Sequence, residues 1–299
     1  MIVSASYRTD IPAFYGTWFL NRLNAGFCRV ASPYGGKPYE VPLTGDQVDG
    51  FVFWTRNAAP FRPALERLAA DGVPFVIQYS LTAYPRPLET SVVARERTIS
   101  EMRNLAARFG PKVVVWRYDP VLITSLTPPD WHRETFARLA EALTAGATPA
   151  TDEVVLSFAQ IYAKTRANTD RAAQRHGFAW SDPPEDEKRA LLAELAQIAT
   201  GQGLTASLCA QPTLLGGDLE PARCIDSARL SAVANGEIYA REKGNRPGCL
   251  CAESRDIGAY DSCPHGCVYC YAVRRPEAAK ANYQAHDPEG EFLVPPARS

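Results

Sequence analysis

Cys263, Cys267 and Cys270 stand in the run C-P-H-G-C-V-Y-C, a C-x3-C-x2-C spacing that puts three thiols on one tight loop. Gly266 relieves the backbone of that loop, and an aromatic residue, Tyr269, immediately precedes the last cysteine. Three thiolates can hold three irons of a cubane [4Fe–4S] cluster and leave the fourth iron open to a small molecule. His265, inside the loop, is better suited to orienting it than to ligating iron. Cys209, Cys224, Cys249 and Cys251 form a second set, the last two as C-x-C. Four thiolates suffice for a closed site, either an auxiliary [4Fe–4S] cluster or a structural zinc. Iron–sulfur is favoured over zinc, because a chain that handles one cluster is already in a suitable redox setting. One of the four standing as a free thiol is a further option. Seven of the eight cysteines lie between 209 and 270. A disulfide framework is the weaker reading of that count, since disulfides belong to small secreted scaffolds. Cys28, alone in a β-rich run, reads as a small core residue. His132, His176 and His286 have no partner spacing and are assigned no chemistry.

The elements that must position these thiols read as alternating β and α. Strands are predicted at 2–6, 28–31, 51–55, 75–79, 113–117, 154–158 and 204–208. Several are continuously apolar or β-branched, as parallel strands covered on both faces are. Helices are predicted between them. Asp10 caps the first, with Pro12 in its first turn and Gly26 at its end; others span 63–70, 91–109, 131–143 and 184–199. Seven such alternations predict an α/β fold, a parallel β/α barrel that is TIM-like and either complete or missing a strand. A doubly wound open sheet is the alternative. From residue 244 the chain turns rich in Cys, Gly and Pro. The expected organisation is therefore a barrel over 1–243 and a cluster-binding segment over 244–299, packed on the barrel mouth.

In such a barrel the C-terminal strand ends build the active site. Here they carry Arg8 and Asp10, Arg56 and Asn57, Gln78, Arg117 and Asp119, and Lys164. These are the candidate catalytic residues. Four cations converging on one mouth, Arg8, Arg56, Arg117 and Lys164, suit an anionic ligand such as a carboxylate or phosphate. Each member also has a plainer reading: Asp10 as a helix cap, Asp119 as the partner of a structural Arg117 ion pair, Tyr79 and Trp116 as core aromatics.

A chain of 299 residues, 46% hydrophobic, can bury a large core. Its net charge of −1 gives no global pull toward nucleic acid. Charged residues arrive too early at the N-terminus for a signal peptide, and no apolar run reaches the roughly 18–20 residues of a membrane span. The expected location is the cytoplasm, with no membrane partner.

The three-cysteine run resembles the radical S-adenosylmethionine (SAM) signature, C-x3-C-x-(aromatic)-C. It stands at the C-terminus rather than in the first strand–helix loop, so the glycine-rich SAM contacts of those enzymes are not placed residue by residue. The whole chain resembles an uncharacterised bacterial family, a domain of unknown function with a radical SAM-like cysteine cluster at its C-terminus. The matching segments are R-T-D-I-P-A-F at 8–14, F-W-T-R-N at 53–57, W-R-Y-D-P at 116–120, S-F at 157–158 and C-L-C-A-E-S-R-D-I-G-A-Y-D-S-C-P-H-G-C-V-Y-C-Y-A at 249–272. Where that family usually has F-W-T-K-N-P, this chain has Arg56 and Ala58, which keeps the cation and sets aside a lysine-specific role. The resemblance implies a permuted barrel whose cluster, on Cys263, Cys267 and Cys270, chelates SAM and cleaves it reductively. Tyr269 and Tyr271 are the candidate cofactor-binding residues, and a flavodoxin- or ferredoxin-like protein is the expected electron donor. Two other readings are an iron–sulfur electron-transfer or binding protein without SAM cleavage, and a zinc-stabilised barrel hydrolase. The substrate is left open.

Overall fold

The computed structural model describes residues 1–32 and 35–296; the last three residues of the expected C-terminal segment lie outside them. Runs of apolar, β-branched and aromatic residues form the strands, as their pleated packing favours. In chain order the strands are β1 Ile2–Ala5, β2 Phe27–Val30, β3 Tyr39–Pro42, β4 Gly50–Thr55, β5 Phe75–Ser80, β6 Val114–Val121, β7 Ile123–Thr124, β8 Glu153–Phe158, β9 Trp180–Ser181, β10 Thr205–Leu208, β11 Glu220–Pro221 and β12 Ser254–Asp256. The helices are α1 Ile11–Phe14, α2 Gly16–Ala25, α3 Arg62–Ala70, α4 Arg95–Phe109, α5 Pro129–Thr144, α6 Ala163–His176, α7 Glu185–Gly201, α8 Ser227–Ala234 and α9 Pro276–Gln284.

Eight strands make one sheet in the order β11-β10-β8-β6-β5-β4-β1-β12, and every pairing in it is parallel. The fold is thus a parallel β/α architecture with strands laid down in chain order, except that β12 returns to lie beside β1, with Ile2 opposite Ser254. The two ends of the sheet, β11 and β12, are not paired as strands. The segments beside them do meet: the Ala252 amide donates to the Ile225 carbonyl at 2.9 Å.

The alternation of a strand sorts the residues into two faces. Phe51, Phe53, Phe75, Ile77, Val114, Trp116, Val154 and Leu156 face the layer of helices in the main core. On the opposite face Ile2, Val52, Val76, Val115 and Val155 pack with Ile225 and with Leu230 of α8. Two residues farther along each of these strands, that same face turns polar or aromatic: Ser4, Trp54, Gln78, Arg117 and Ser157. The apolar layer is therefore a floor, and a polar layer lies above it toward the C-terminal strand ends.

Three expectations differ from this. The run at 28–31 is no sheet strand; β2 pairs antiparallel with β3 in a separate hairpin. Its Cys28 and Val30 are buried while Arg29 is exposed, the one-faced pattern of a peripheral hairpin. The first helix breaks at Tyr15 into α1 and α2. Helix α6, with few buried apolar residues, and the short strands β11 and β12 lie where none was predicted. Among the described residues no helix is long and apolar enough to cross a membrane.

Candidate functional site

The three-cysteine loop is held over the C-terminal ends of the strands by partners from four directions. Asp10, just past β1, caps α1 through Oδ1, which accepts from the Ala13 amide at 2.9 Å. Its Oδ2 accepts from the Arg56 amide and contacts His265 Nε2, both at 2.8 Å. Asp10 therefore caps the helix and also ties the cysteine loop to the end of β4 through His265. From α1's C-cap, the Tyr15 hydroxyl donates to the Ser262 carbonyl at 2.6 Å. The segment after β5 pairs with the loop: Glu89 bridges Cys267, Val268 donates to the Leu88 carbonyl and Ser91 to that of His265. From α6, Asn168 Nδ2 donates to the Val273 carbonyl at 3.1 Å. Gly266 takes φ +73, and a Cβ there would stand 3.2 Å from Thr90 Cβ, so the loop turns where only glycine fits without strain.

Cys263, Cys267 and Cys270 are free thiols, each half-buried. Burial raises all three pKa values, Cys267 to about 12, and Cys263 is raised further by Cys270 and Cys267 beside it. Arg56 opposes the rise at Cys267 and Cys270, and Lys164 does so at Cys270. Each thiol thus feels strong desolvation while keeping some contact with solvent. Tyr271 shares that character: it is 38% exposed, burial raises its hydroxyl, and it donates to the Tyr7 carbonyl.

The expected cations are present but mostly neutralised. Arg8 is buried, its Nε 2.8 Å from Asp256 Oδ1 and its Nη2 3.0 Å from the Asp256 carbonyl. Asp256 also accepts from Ser4 and Ser6 hydroxyls and from the Tyr7 and Gly258 amides, so one carboxylate gathers the turn after β1. Arg56 pairs with Glu89 at 2.8 Å and donates to the Tyr269 hydroxyl at 2.6 Å; Tyr269 in turn donates to Glu89. Tyr269 thus braces the loop against the ends of β4 and β5. Arg117 is 5% exposed, pairs with Asp119, and donates from Nη1 to Gln78 Oε1 at 3.1 Å and to Cys224 Sγ at 3.0 Å. Burial opposes ionisation of Asp119, but Arg117 and Ser157 outweigh it and hold the carboxyl below its ordinary range. The expected open arginine mouth is instead a set of internal ion pairs. Lys164, in the first turn of α6, stands apart: its Nζ lies 5.0 Å from the centre of the Tyr260 ring. Asn57 stays in its own turn, accepting from the Ala59 amide, away from the cysteine loop.

The second cysteine set lies on the polar layer. Cys209 follows β10, Cys224 follows β11, and Cys249 and Cys251 precede β12. Cys224 Sγ is 3.5 Å from Cys209 Sγ, and Cys251 Sγ accepts from the Ile225 amide at 3.4 Å. Gln78 Nε2 donates to the Cys224 carbonyl at 2.9 Å. The neighbouring Cys251 thiol lowers Cys249 to about 6, which favours its thiolate form. Cys28, remote from both sets, is fully buried and pushed up to about 12 by that burial. Among the described residues no group of three or more His, Cys, Asp or Glu side chains is preset to hold one metal ion. Two hollows lie nearby, about 280 Å³ beside Arg56, Thr82 and Glu89 and about 340 Å³ beside Asn57 and Tyr79. Neither is lined by a cysteine, so the thiols rather than the hollows locate the chemistry.

Glu89 and Asp256, which fix Arg56 and Arg8, escaped the sequence reading. Asp256 lies inside the quoted S-R-D-I-G segment, where an acidic residue two positions before a glycine was the available signal; Glu89 has no local pattern at all.

No curated protein and no solved structure matches this chain. A family model does, over residues 2–272, a span that takes in every sheet strand and both cysteine sets. The chain belongs to the family described as Domain of unknown function (DUF1848).

Proposed function

We propose that Cys263, Cys267 and Cys270 hold a [4Fe–4S] cluster and that the chain is a radical SAM-type enzyme, its sequentially ordered sheet curving into a β/α barrel. The observation that carries this reading is the loop itself: three neighbouring thiols, reached by solvent, over the C-terminal strand ends. The donor set fits the group. Soft thiolates suit iron–sulfur clusters, and three of them leave one iron without a protein ligand. Arg56 and Lys164 favour the thiolate forms that ligation requires. A cluster held there would supply the electron that cleaves SAM to a 5′-deoxyadenosyl radical, drawn from a flavodoxin- or ferredoxin-like donor.

The chain's own residues have distinct tasks. Asp10 and His265 set the loop's height over β1, and the Arg56–Glu89–Tyr269 brace fixes it against β4 and β5. Lys164, which stands over the Tyr260 ring and favours the Cys270 thiolate, and the exposed Tyr271 beside Cys270 are the groups that would receive an anionic or aromatic ligand. The layer of polar residues at the C-terminal strand ends favours an enzyme over a pure electron-transfer protein, which needs none.

The test is iron and sulfide analysis after anaerobic reconstitution, with chromatography of a dithionite-reduced reaction containing SAM. The intact chain should yield 5′-deoxyadenosine and methionine. Replacing Cys263, Cys267 and Cys270 together with Ala should remove about four irons per chain, one cluster's complement. Unchanged iron in the triple variant refutes the cluster assignment. A cluster without SAM cleavage supports the electron-transfer reading instead.

A further inference from the structure

We propose that Cys209, Cys224, Cys249 and Cys251 form a zinc tetrathiolate that fastens the two unpaired ends of the sheet to each other. This site is independent of the three-cysteine loop and of the reaction proposed for it.

The placement of the four thiols is the first argument. β11 and β12 do not pair, so the sheet leaves backbone groups unmatched between them, and one amide–carbonyl bond joins the adjoining segments. Cys224 leaves β11 and Cys251 leads toward β12, on either side of this junction, and the Ile225 amide donates to Cys251 Sγ at 3.4 Å. Cys209 comes from the neighbouring strand β10. A bond among these sulfurs would tie the paired β10 and β11 to the segment that leads into β12.

Sulfur spacing is the second. Four sulfurs about 2.3 Å from one tetrahedral ion stand about 3.8 Å from one another. A cubane holds its cysteine sulfurs wider, because whole irons and bridging sulfides lie between them. Cys209 and Cys224 are 3.5 Å apart, and Cys251 Sγ accepts from the Ile225 amide next to Cys224 at 3.4 Å. This one pair has the spacing of a mononuclear site, which favours zinc over the iron–sulfur cluster expected from the sequence. Closing all four sulfurs around one ion requires side-chain rotation in the loop that carries Cys249.

Charge is the third. Four thiolates around Zn²⁺ carry a net −2. Arg117 Nη1 lies 3.0 Å from Cys224 Sγ, and Arg246 Nη2 leans to 3.6 Å from Cys209 Sγ. Two guanidinium groups directed at sulfur are the outer hydrogen-bonding shell that a dianionic thiolate site calls for. Neutral thiols would give a buried arginine a poor acceptor.

The experiment is metal analysis of the full-length triple variant Cys263→Ala/Cys267→Ala/Cys270→Ala, with Cys209→Ser and Cys224→Ser added singly. We expect about one zinc per chain in the triple variant, falling at least tenfold with either serine. X-ray absorption at the zinc edge of the triple variant, which keeps all four ligands, should show four sulfurs at about 2.3 Å. Nitrogen or oxygen ligands at that edge, zinc unaffected by the serines, or iron with equal sulfide in place of zinc would each overturn the proposal. Failure of the three-cysteine cluster would appear as missing iron in the intact chain and leave the zinc result untouched.

Discussion

Replacing Arg117 with Leu should destabilise the protein sharply, for reasons that follow from where its charge sits. The guanidinium and its partner Asp119 have side-chain exposures of 6% and 20%. Removing one member of a buried pair leaves the other charge uncompensated, at about 3–5 kcal/mol. Two features place this case near the lower bound of about 3 kcal/mol. Asp119 keeps its bond from Ser157, and solvent reaches a fifth of it. Gln78 Oε1 and Cys224 Sγ also lose a donor, which keeps the figure from falling further. At roughly 2–4 °C per kcal/mol for a chain of this size class, the melting temperature should drop by roughly 6–12 °C. Calorimetry or a circular-dichroism melt would read this directly. The double variant Arg117→Met/Asp119→Asn, which removes both charges, should recover more than about 1 kcal/mol of the single variant's loss. A single variant melting within about 2 °C of the parent, or a double variant with simply additive losses, would refute the claim that this pair is internal.

His132 should make stability depend on pH. It is fully buried between the Tyr118 hydroxyl at 2.8 Å and the Leu122 carbonyl at 3.2 Å, and burial lowers its pKa to about 4. The folded value lies below the unfolded value near 6.5, so the unfolded chain binds the extra proton between those limits. This contribution, about 3 kcal/mol, is fully present above pH 6.5 and lost as pH falls toward 4. Urea melts of the parent and His132→Gln should converge over that window; parallel pH profiles would contradict it. Gly258→Ala should damage the turn after β1, because a Cβ there would come 2.0 Å from Ser6 Oγ, beside the Asp256 hub. A loss of about 2–3 kcal/mol is expected, and an unchanged urea midpoint would show that the hub can move aside.

The central strands were legible because they are buried on both faces: F-V-F-W-T, F-V-I-Q-Y and V-V-L-S-F are continuous apolar runs whose burial the sequence cannot hide. The β2–β3 hairpin misled because F-C-R-V is apolar enough to resemble such a run while burying only one side. β11 and β12 were illegible: two and three residues, one of them Pro, with no β-branched stretch. Helix α6 reads as A-K-T-R-A-N-T-D-R-A-A-Q-R-H, with no apolar stripe to give a period. At the site, residue types clustered at strand ends were readable, but their pairing was not. Asp256 meets Arg8 across 248 positions of chain, and nothing local encodes such a contact. Hence the cations were visible in the sequence and their neutralisation was not.

The pairing of β12 with β1 also bears on how the molecule is made. β1 emerges first from synthesis, yet one of its two edges has no partner until residues 254–256 follow it. Closing a loop of that length is slow, and the sheet cannot be completed before β12 has been made. Until then a buried-type strand presents bare amides and carbonyls along one edge, the feature that seeds intermolecular pairing. The late-arriving stretch also carries five of the eight cysteines, Cys249 through Cys270. Completion of the sheet and assembly of both thiol sets therefore wait on the same interval of synthesis, when residues 249–270 are made. Nascent chains stalled before that interval should be the species that chaperones hold and proteases clear.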